Sequence, residues 1–302
     1  YPAFEMVSFP FVFANKSASH VLASLGDLSP GGSATIVRYD PREPNPALRY
    51  KFYPDPFAAA IDPGNGYWVL NLNNLPVTMP TDRSPVPTDA AFNLIVYRGW
   101  NQIGNPFHYT VDLYDIEVLD FAGNRYSMSE AINRQLLLPV LYQWDPLEHR
   151  YTWEPDPMDT KMDAYMGYWL LAYRDLVLLV PPPVYQWTMA ARPKGRVPAA
   201  GPSGGWSFGL VAQTPSAASE TLRLGVSPEG KDGWDRYDLP CPPEPAALRE
   251  ARVQASLLGP EGVPCLANTL SQSGSRHEWV VEVRTNQVNA PVTLSWPDLA
   301  AL

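Results

Sequence analysis

The residues of this 302-residue chain that are best placed for chemistry are three closely spaced aspartates. Asp232, Asp235 and Asp238 precede Pro240, and carboxylate oxygens at short spacing in a turn are ligands that Ca²⁺ prefers. The spacing does not match an EF-hand loop, and aspartates in such loops also hydrogen-bond their own backbone and shape turns. Two interpretations therefore stay open, a calcium site or a set of turns, and no other cofactor is expected.

Patterns typical of catalytic sites are missing from the sequence. It has no Gly-x-Ser-x-Gly elbow and no phosphate-binding glycine loop, and its histidines stand outside any His-Glu-x-x-His or Cys-x-x-Cys context. Asp55 and Asp156 occupy matching places in two Pro-Asp-Pro segments and could be the paired carboxylates of a glycosidase. The flanking prolines indicate rigid turns instead. We therefore expect no enzyme and assign no catalytic residue.

The chain has two cysteines, Cys241 and Cys265, both in its last third and each beside a proline. A disulfide between them would close a loop and contribute about 3 kcal/mol by loop entropy. Spacing alone does not establish the geometry that a disulfide needs. A disulfide and two buried thiols are both compatible with the sequence.

The first two hundred residues contain a duplication. Five segments of copy one return in the same order in copy two; the matching pairs are Ser8–Phe11 with Gly104–Phe107, Tyr39–Pro41 with Trp144–Pro146, Tyr53–Pro56 with Glu154–Pro157, Gly66–Trp68 with Gly167–Trp169, and Val77–Pro80 with Val177–Pro181. The repeated residues are aromatics, prolines and glycines, which fill cores and shape turns. The duplication therefore indicates a structural or binding module.

We predict an all-β protein of two duplicated small β-domains followed by an Ig-like β-sandwich. The predicted domains are 1–81, 90–183 and 203–302, separated by proline-rich linkers. Copy two carries nine extra residues, and there Ser127–Arg134 has the capping serine and apolar spacing of a short helix. The last third shows five alternating strand candidates separated by turns, which is typical of a sandwich.

Charge and hydropathy exclude two classes of partner. With a formal charge of −9 and a pI near 4.9, the chain lacks the basic surface that binds nucleic acid or anionic membranes. Its apolar runs are of strand length, too short to span a membrane. Because the sequence opens at Tyr1 without a charged and then apolar leader, we expect a secreted chain whose signal has been removed.

The repeats resemble modules of large bacterial secreted and cell-surface proteins that begin Gly-Trp-Asn-x-Ile-Gly-Asn-Pro-Phe and close with Gly-Tyr-Trp before an aliphatic strand. Copy two matches at Gly99–Phe107 and Gly167–Trp169, whereas copy one has the divergent opening Glu5–Ser8. In those proteins a β-sandwich with an Asp-Gly-x-Asp-x-x-Asp segment often follows, which Asp232–Asp238 resembles. The resemblance implies an extracellular setting and no particular reaction.

The duplicated aromatics Tyr67, Trp68, Tyr168 and Trp169 have two interpretations. They could form a platform that stacks on sugars, or they could fill cores. Because neighbouring residues of a strand point to opposite faces, we expect one ring of each pair in the core and the other at a surface or an interface. The platform would make the protein a carbohydrate-binding or adhesion protein.

Both ends of the sequence suggest incomplete sheets. Tyr1 aligns with Tyr97, so we expect copy one to lack a counterpart of the strand Phe92–Val96, and we expect the last domain to lack its closing strand or strands after Val292–Trp296. Unpaired edges accept strands from neighbouring molecules, and a head-to-tail contact of this kind builds an open filament. The alternative is a chain trimmed at disordered ends. The candidate interface residues are Phe4, Met6, Phe9, Phe11, Val292, Leu294 and Trp296.

These observations together predict an extracellular structural protein, a subunit of a filament, sheath or surface layer. Its expected partners are other copies of itself, through strand pairing. Carbohydrate binding to surface glycans is the alternative, and a chain that accompanies a hydrolase is a third.

Overall fold

A computed structural model describes residues 3–154, 159–182, 204–235, 237–246, 251–273 and 276–297. Strands account for 43% of the chain and helices for 9%, which confirms the all-β prediction. Among the described residues, no helix has the length and hydropathy that a membrane span requires. The second Pro-Asp-Pro segment with Asp156, most of the second linker, and residues 298–302 lie outside the described residues.

The chain divides into two compact units. The first contains the described residues up to 144 and those of 153–182. Its strands are β1 (Ala3–Ser8), β2 (Phe11–Phe13), β3 (Ala34–Tyr39), β4 (Tyr50–Phe52), β5 (Gly66–Asn71), β6 (Arg83–Pro85), β7 (Phe92–Val96), β8 (Gly99–Gly104), β9 (Val111–Asp112), β10 (Glu117–Asp120), β11 (Arg125–Ser127), β12 (Tyr142–Asp145, of which Asp145 belongs to the second unit), β14 (Lys161–Met162), β15 (Gly167–Ala172) and β16 (Leu176–Val180). Its helices are α1 (Ala18–Val21) and α2 (Met128–Asn133).

The second unit contains residues 145–152 and the described residues from 204 onwards. Its strands are β13 (Arg150–Trp153, of which Trp153 belongs to the first unit), β17 (Trp206–Thr214), β18 (Ala217–Ala218), β19 (Leu222–Ser227), β20 (Leu239–Pro240), β21 (Val253–Leu258), β22 (Pro264–Ser271), β23 (Val281–Thr285) and β24 (Thr293–Ser295).

In the first unit the two copies form equivalent sheets. Copy one has the strand order β1-β5-β3-β4, and copy two has β8-β15-β12 in the same arrangement. Ser8 is paired with Gly66 in one sheet, as Gly104 is paired with Gly167 in the other. The repeated motifs therefore occupy equivalent positions in two similar sheets.

The copies contact each other through reciprocal hydrogen bonds. Ser8 N donates to Tyr165 O at 2.8 Å, and Gly104 N donates to Gly64 O at 2.9 Å. Ser8 is equivalent to Gly104, and Gly64 to Tyr165, so the two bonds are related by a pseudo-twofold axis. The structure groups both copies in one compact unit, whereas the sequence predicts a separate domain for each.

Copy two has a further sheet, β11-β10-β16-β7, and its strand β11 lies in the stretch with the nine extra residues. Helix α2 lies beside it and begins at the predicted capping serine, which forms a capping box: Ser127 N donates to Glu130 Oε2 at 2.9 Å, and Glu130 N donates to Ser127 Oγ at 3.3 Å. In copy one, the corresponding stretch forms α1 and a 3-10 turn at Ala23–Leu25. The two copies are therefore similar in the strands that carry the motifs and differ in this sheet.

The second unit is built on one long sheet in the order β18-β17-β19-β22-β21-β23, with β24 on β17 and β20 on β22. Strand β21 also contacts β17 and β19, so the sheet folds back on itself around a buried core, as in a β-sandwich. Residues 145–152 belong to this unit: Tyr151 N donates to the buried Glu220 Oε1 at 3.0 Å, and Tyr151 OH donates to Pro243 O at 2.7 Å.

Candidate functional site

The strand β24 lies at an edge of the second unit with its apolar side uncovered. Leu294 is paired with Ala212 of β17, and paired residues share a face of a sheet. Ala212 is fully buried, so Leu294 points to the core side, together with Val292 and Trp296 two positions away on either side. These three side chains are nevertheless 41%, 40% and 55% exposed.

The sheet order explains this exposure. Strand β24 pairs with β17 on one edge, and no strand among the described residues pairs with its other edge. Charges and prolines usually protect an edge strand from pairing; the segment 292–296 contains no charged residue, and prolines stand only at its two ends, Pro291 and Pro297. The structure therefore has a short apolar edge here, five residues long.

The predicted interface residues near the start of the chain lie inside the molecule. Phe4, Met6 and Phe9 are buried, and Phe4 stacks on Trp68 with ring centroids 4.6 Å apart. Met6 lies against the backbone of Gly167 in copy two. The expectation of an interface at these residues is wrong because the chain's own second copy covers β1. Phe11 is partly buried and packs near Phe13 and Tyr165.

The four duplicated aromatics are all buried, which contradicts a sugar platform at these rings. Trp68 meets Trp144 of the other copy at 5.8 Å, and Trp169 meets Tyr39 at 4.9 Å, in equivalent edge-to-face contacts across the pseudo-twofold axis. Of each pair, the tyrosine lies in the core of its own copy and the tryptophan lies at the contact between the two copies, as the interface alternative expects.

The tyrosines of these pairs hold equivalent turns. Tyr67 OH accepts a hydrogen bond from Asp62 N at 2.9 Å and donates to Ala60 O at 3.0 Å. Tyr168 OH accepts from Asp163 N at 2.8 Å. Burial raises the pKa of Tyr67, and it raises the pKa of Tyr168 to about 12. Both phenols are therefore neutral structural groups.

The three aspartates accept hydrogen bonds from the protein backbone. Asp235 accepts from Lys231 N and Tyr237 N, at 2.8 and 2.7 Å, and Asp232 accepts from Ser271 N at 3.3 Å. Asp238 is buried and accepts from Asp235 N at 2.9 Å. The described residues contain no group of three His, Cys, Asp or Glu side chains that could hold a metal ion. This geometry corresponds to the turn-forming alternative.

Asp238 makes a pH-dependent contribution to stability. Burial raises the pKa of its carboxyl from 3.8 to about 6, so the folded protein holds this proton more tightly than the unfolded chain does. This group's contribution to the free energy of unfolding therefore falls as the pH rises from about 4 to about 6. We expect the difference in stability between wild type and Asp238→Asn to change over this range, as measured by urea unfolding of the second unit.

Because the amide of Asp238→Asn does not ionise, we expect the stability of wild type relative to this variant to fall between pH 4 and pH 6, although the amide must take over the bonds donated by Asp235 N, Thr269 N and Asn268 Nδ2. The exposed Asp232→Asn is the matched control and should leave the pH dependence unchanged. If the free energies of unfolding of wild type and Asp238→Asn depend on pH in the same way, this role is contradicted.

Cys241 and Cys265 are free thiols, which contradicts the disulfide. They lie on neighbouring segments, since Cys241 N donates to Pro264 O at 2.9 Å. The Cys265 Sγ atom donates instead to Val263 O, in the turn before its own strand, at 3.4 Å. Burial raises the pKa of both thiols, that of Cys265 to about 12, so neither is an activated nucleophile.

Two surface features were missed at the sequence level. In the second unit, Trp206, Phe208, His277 and Trp279 form a partly exposed aromatic cluster, with 5.9 Å between the two tryptophan rings, and no sequence pattern brought them together. In the first unit, Leu75 and Val77 are 41% and 42% exposed. The sequence contains a signal for Leu75 and Val77, because these residues and Met79 occupy every second position, as the aliphatic residues of β16 do.

Comparisons of the chain with protein-family models, with curated proteins and with solved structures found no match. The resemblance of the repeats to bacterial cell-surface modules therefore stays a prediction from the motifs.

Proposed function

We propose that the protein is a structural subunit that assembles with other copies of itself by β-strand pairing, outside the cell. The observation that carries the proposal is β24, an edge strand whose core-side residues Val292, Leu294 and Trp296 remain about half exposed. A strand from another molecule could pair with its free edge.

The energetics favour such a contact. Fully burying one large apolar side chain is worth roughly 1.5–3 kcal/mol, and three of them lie on one face of β24. Pairing of the backbone would satisfy the N–H and C=O groups along the free edge as well. The three side chains and the edge together form a continuous contact of the kind seen in strand addition.

The kind of assembly follows from the symmetry of the contact. If β24 meets a different surface of the next molecule, the contact is heterologous and repeats head to tail, which produces an open filament. The extracellular setting rests on the resemblance of Gly99–Phe107 and Gly167–Trp169 to cell-surface modules. The proposal assigns no catalytic residue and no cofactor.

The test compares the wild-type chain with Leu294→Lys by light scattering and negative-stain electron microscopy. We expect wild type to form polymers and Leu294→Lys to remain near 33.5 kDa, because a buried ammonium group without a partner opposes the contact. The matched control is Val288→Lys, at an 88% exposed valine in the turn between β23 and β24, which should still polymerise.

Two results would overturn the proposal. A wild-type sample that stays at 33.5 kDa over a wide range of concentrations would exclude self-assembly. Polymers of Leu294→Lys indistinguishable from wild type would show that β24 is not the contact.

A further inference from the structure

The sheet β11-β10-β16-β7 has one face in the core of the first unit and one outer face. On the core face, Leu178 of β16 is fully buried between its partners in β10 and β7. The residues on either side of it, Val177 and Leu179, point to the opposite face and are partly exposed. The outer face therefore presents aliphatic side chains from the centre of the sheet.

These side chains belong to a continuous patch. Paired residues share a face, so the register of β10, β16 and β7 gives the members of the outer face in rows. One row consists of Leu119, Val177 and Ile95. The next row consists of Glu117, Leu179 and Asn93. We call the four aliphatic residues Leu119, Val177, Leu179 and Ile95 the outer patch; Ile95 is its most exposed member, at 52%.

The charged residues of these rows lie at one margin of the outer patch. The first row continues from Leu119 to Arg125 of β11, and Arg125 forms an ion pair with Glu117. Both side chains of this pair are about half exposed, at 58% and 46%. The patch itself can therefore be covered without burying an unpaired charge.

The size of the outer patch limits the kind of contact it can make. With strands about 4.8 Å apart, three strands and two rows cover roughly a few hundred Å², whereas a stable interface buries about 800 Å² on each partner. One such contact is therefore too weak to hold a stable dimer. It becomes effective when many copies repeat it in parallel, as the subunits of two adjacent filaments do.

We propose that the outer patch packs face to face on the same patch of a second copy and so joins two filaments side by side. This inference rests on the proposed function, to which it adds a second contact between copies. Two apolar sheet faces that meet in this way pack about 10 Å apart. The occupant is a second copy because the patch is complementary to itself.

A twofold axis along β16 produces this complementarity. It places β16 on β16 of the other copy, and β10 on β7 of the other copy. Val177 and Leu179 then meet their own counterparts, and Leu119 meets Ile95. Each of the four aliphatic residues therefore has an aliphatic partner in the contact.

The polar residues of the second row fit the same axis. Glu117 meets the exposed Asn93 of the other copy, whose side-chain amide donates to the carboxylate. An axis across the strands would instead place Glu117 on Leu119 and cover the carboxylate with an aliphatic side chain. The charge at the margin therefore favours the axis along β16.

The experiment tests the predicted meeting of Leu119 with Ile95. All proteins are full chains that carry Leu294→Lys, which blocks the strand contact and leaves the outer patch intact. This background should be a monomer of 33.5 kDa at micromolar concentration. In sedimentation equilibrium it should form a dimer of twice that mass, with a dissociation constant on the order of 0.1 mM because the contact is small.

Two further variants place opposite charges at the contact. Ile95→Lys and Leu119→Glu each bring an unpaired charge into it, and each alone should remain a monomer over the same concentrations. An equal mixture of the two should dimerise again, because a lysine of one copy then faces a glutamate of the other, and added salt should weaken this dimer.

The matched control is Val12→Lys, at a valine of the same unit that is 43% exposed and belongs to another sheet. It should dimerise like the background. Circular dichroism checks that the charged variants are folded, which the exposed position of Ile95 favours. For the polymers, negative-stain microscopy should show paired filaments for wild type and single filaments for Ile95→Lys without the Leu294 substitution.

The outcomes separate this inference from the proposed function. A background protein that stays monomeric at close to millimolar concentration, or that dimerises equally well with Ile95→Lys, would overturn the contact while the strand contact of β24 stands. A mixture that fails to dimerise would overturn the axis along β16 and with it the pairing proposed here. A wild-type chain that forms no polymers overturns the proposed function instead, whether or not the dimer forms.

Discussion

A Trp169→Ala variant is expected to lower the free energy of unfolding of the first unit by about 3–5 kcal/mol. Trp169 is fully buried, with the ring of Tyr39 perpendicular to it at 4.9 Å and that of Tyr50 at 6.5 Å. Both neighbours belong to the other copy, so truncation would leave a cavity between two sheets that hydrogen bonds hold at a set spacing. Urea unfolding followed by far-ultraviolet circular dichroism measures the loss.

The measurement should be made in the Leu294→Lys background, so that association does not add to the apparent stability. Trp68→Ala, at the equivalent position in copy one, should lose a similar amount, because Trp68 contacts Trp144 in the same way. The control is Trp296→Ala, at a half-exposed tryptophan of the second unit, which should leave the first unit unchanged. A loss below about 1 kcal/mol for Trp169→Ala would contradict a central packing role.

Gly104→Ala is the second large effect that we expect, with a loss of about 1–3 kcal/mol from overpacking. A β-carbon at Gly104 would lie 2.1 Å from the β-carbon of Ser8 and 3.0 Å from the carbonyl oxygen of Asn65. Ser8 and Gly104 are equivalent residues of the two copies that meet near the pseudo-twofold axis. The space between them has room for one side chain, so glycine is required at one of the two positions.

This explanation predicts a rescue. The double variant Ser8→Gly with Gly104→Ala moves the side chain from one copy to the other and should recover most of the loss, because the 2.1 Å contact disappears. The matched control is Gly233→Ala, where a new β-carbon has no neighbour within 4 Å. Losses that simply add in the double variant would show that the clash with Ser8 is not the cause.

The duplication illustrates how far local sequence determines the fold. The motif Gly-Tyr-Trp followed by aliphatic residues predicts strands, and β5 and β15 start at Gly66 and Gly167. The capping serine and the apolar spacing after it predict α2. These predictions hold because strand alternation, caps and turn residues act within a few positions of the chain.

Some predictions about exposure failed for a common reason. The sequence predicts an open edge at Phe4 and Met6 and a possible platform at Trp68 and Trp169. In the structure Phe4 stacks on Trp68, Met6 lies against Gly167 of copy two, and both tryptophans are buried between the copies. The alternation of residues along one strand indicates which side chains share a face of the sheet. It does not indicate which other sheet packs on that face.

The sequence by itself determined the all-β class, the duplication and the apolar alternation of the segment 292–296. Only the tertiary structure decided that the copies meet across a pseudo-twofold axis and that Asp238 turns inward to accept backbone hydrogen bonds. It also decided that Val77 is exposed where its counterpart Leu178 is buried. The reason is physical: local patterns set the preferences of each element, whereas burial depends on contacts between residues that are far apart in the chain.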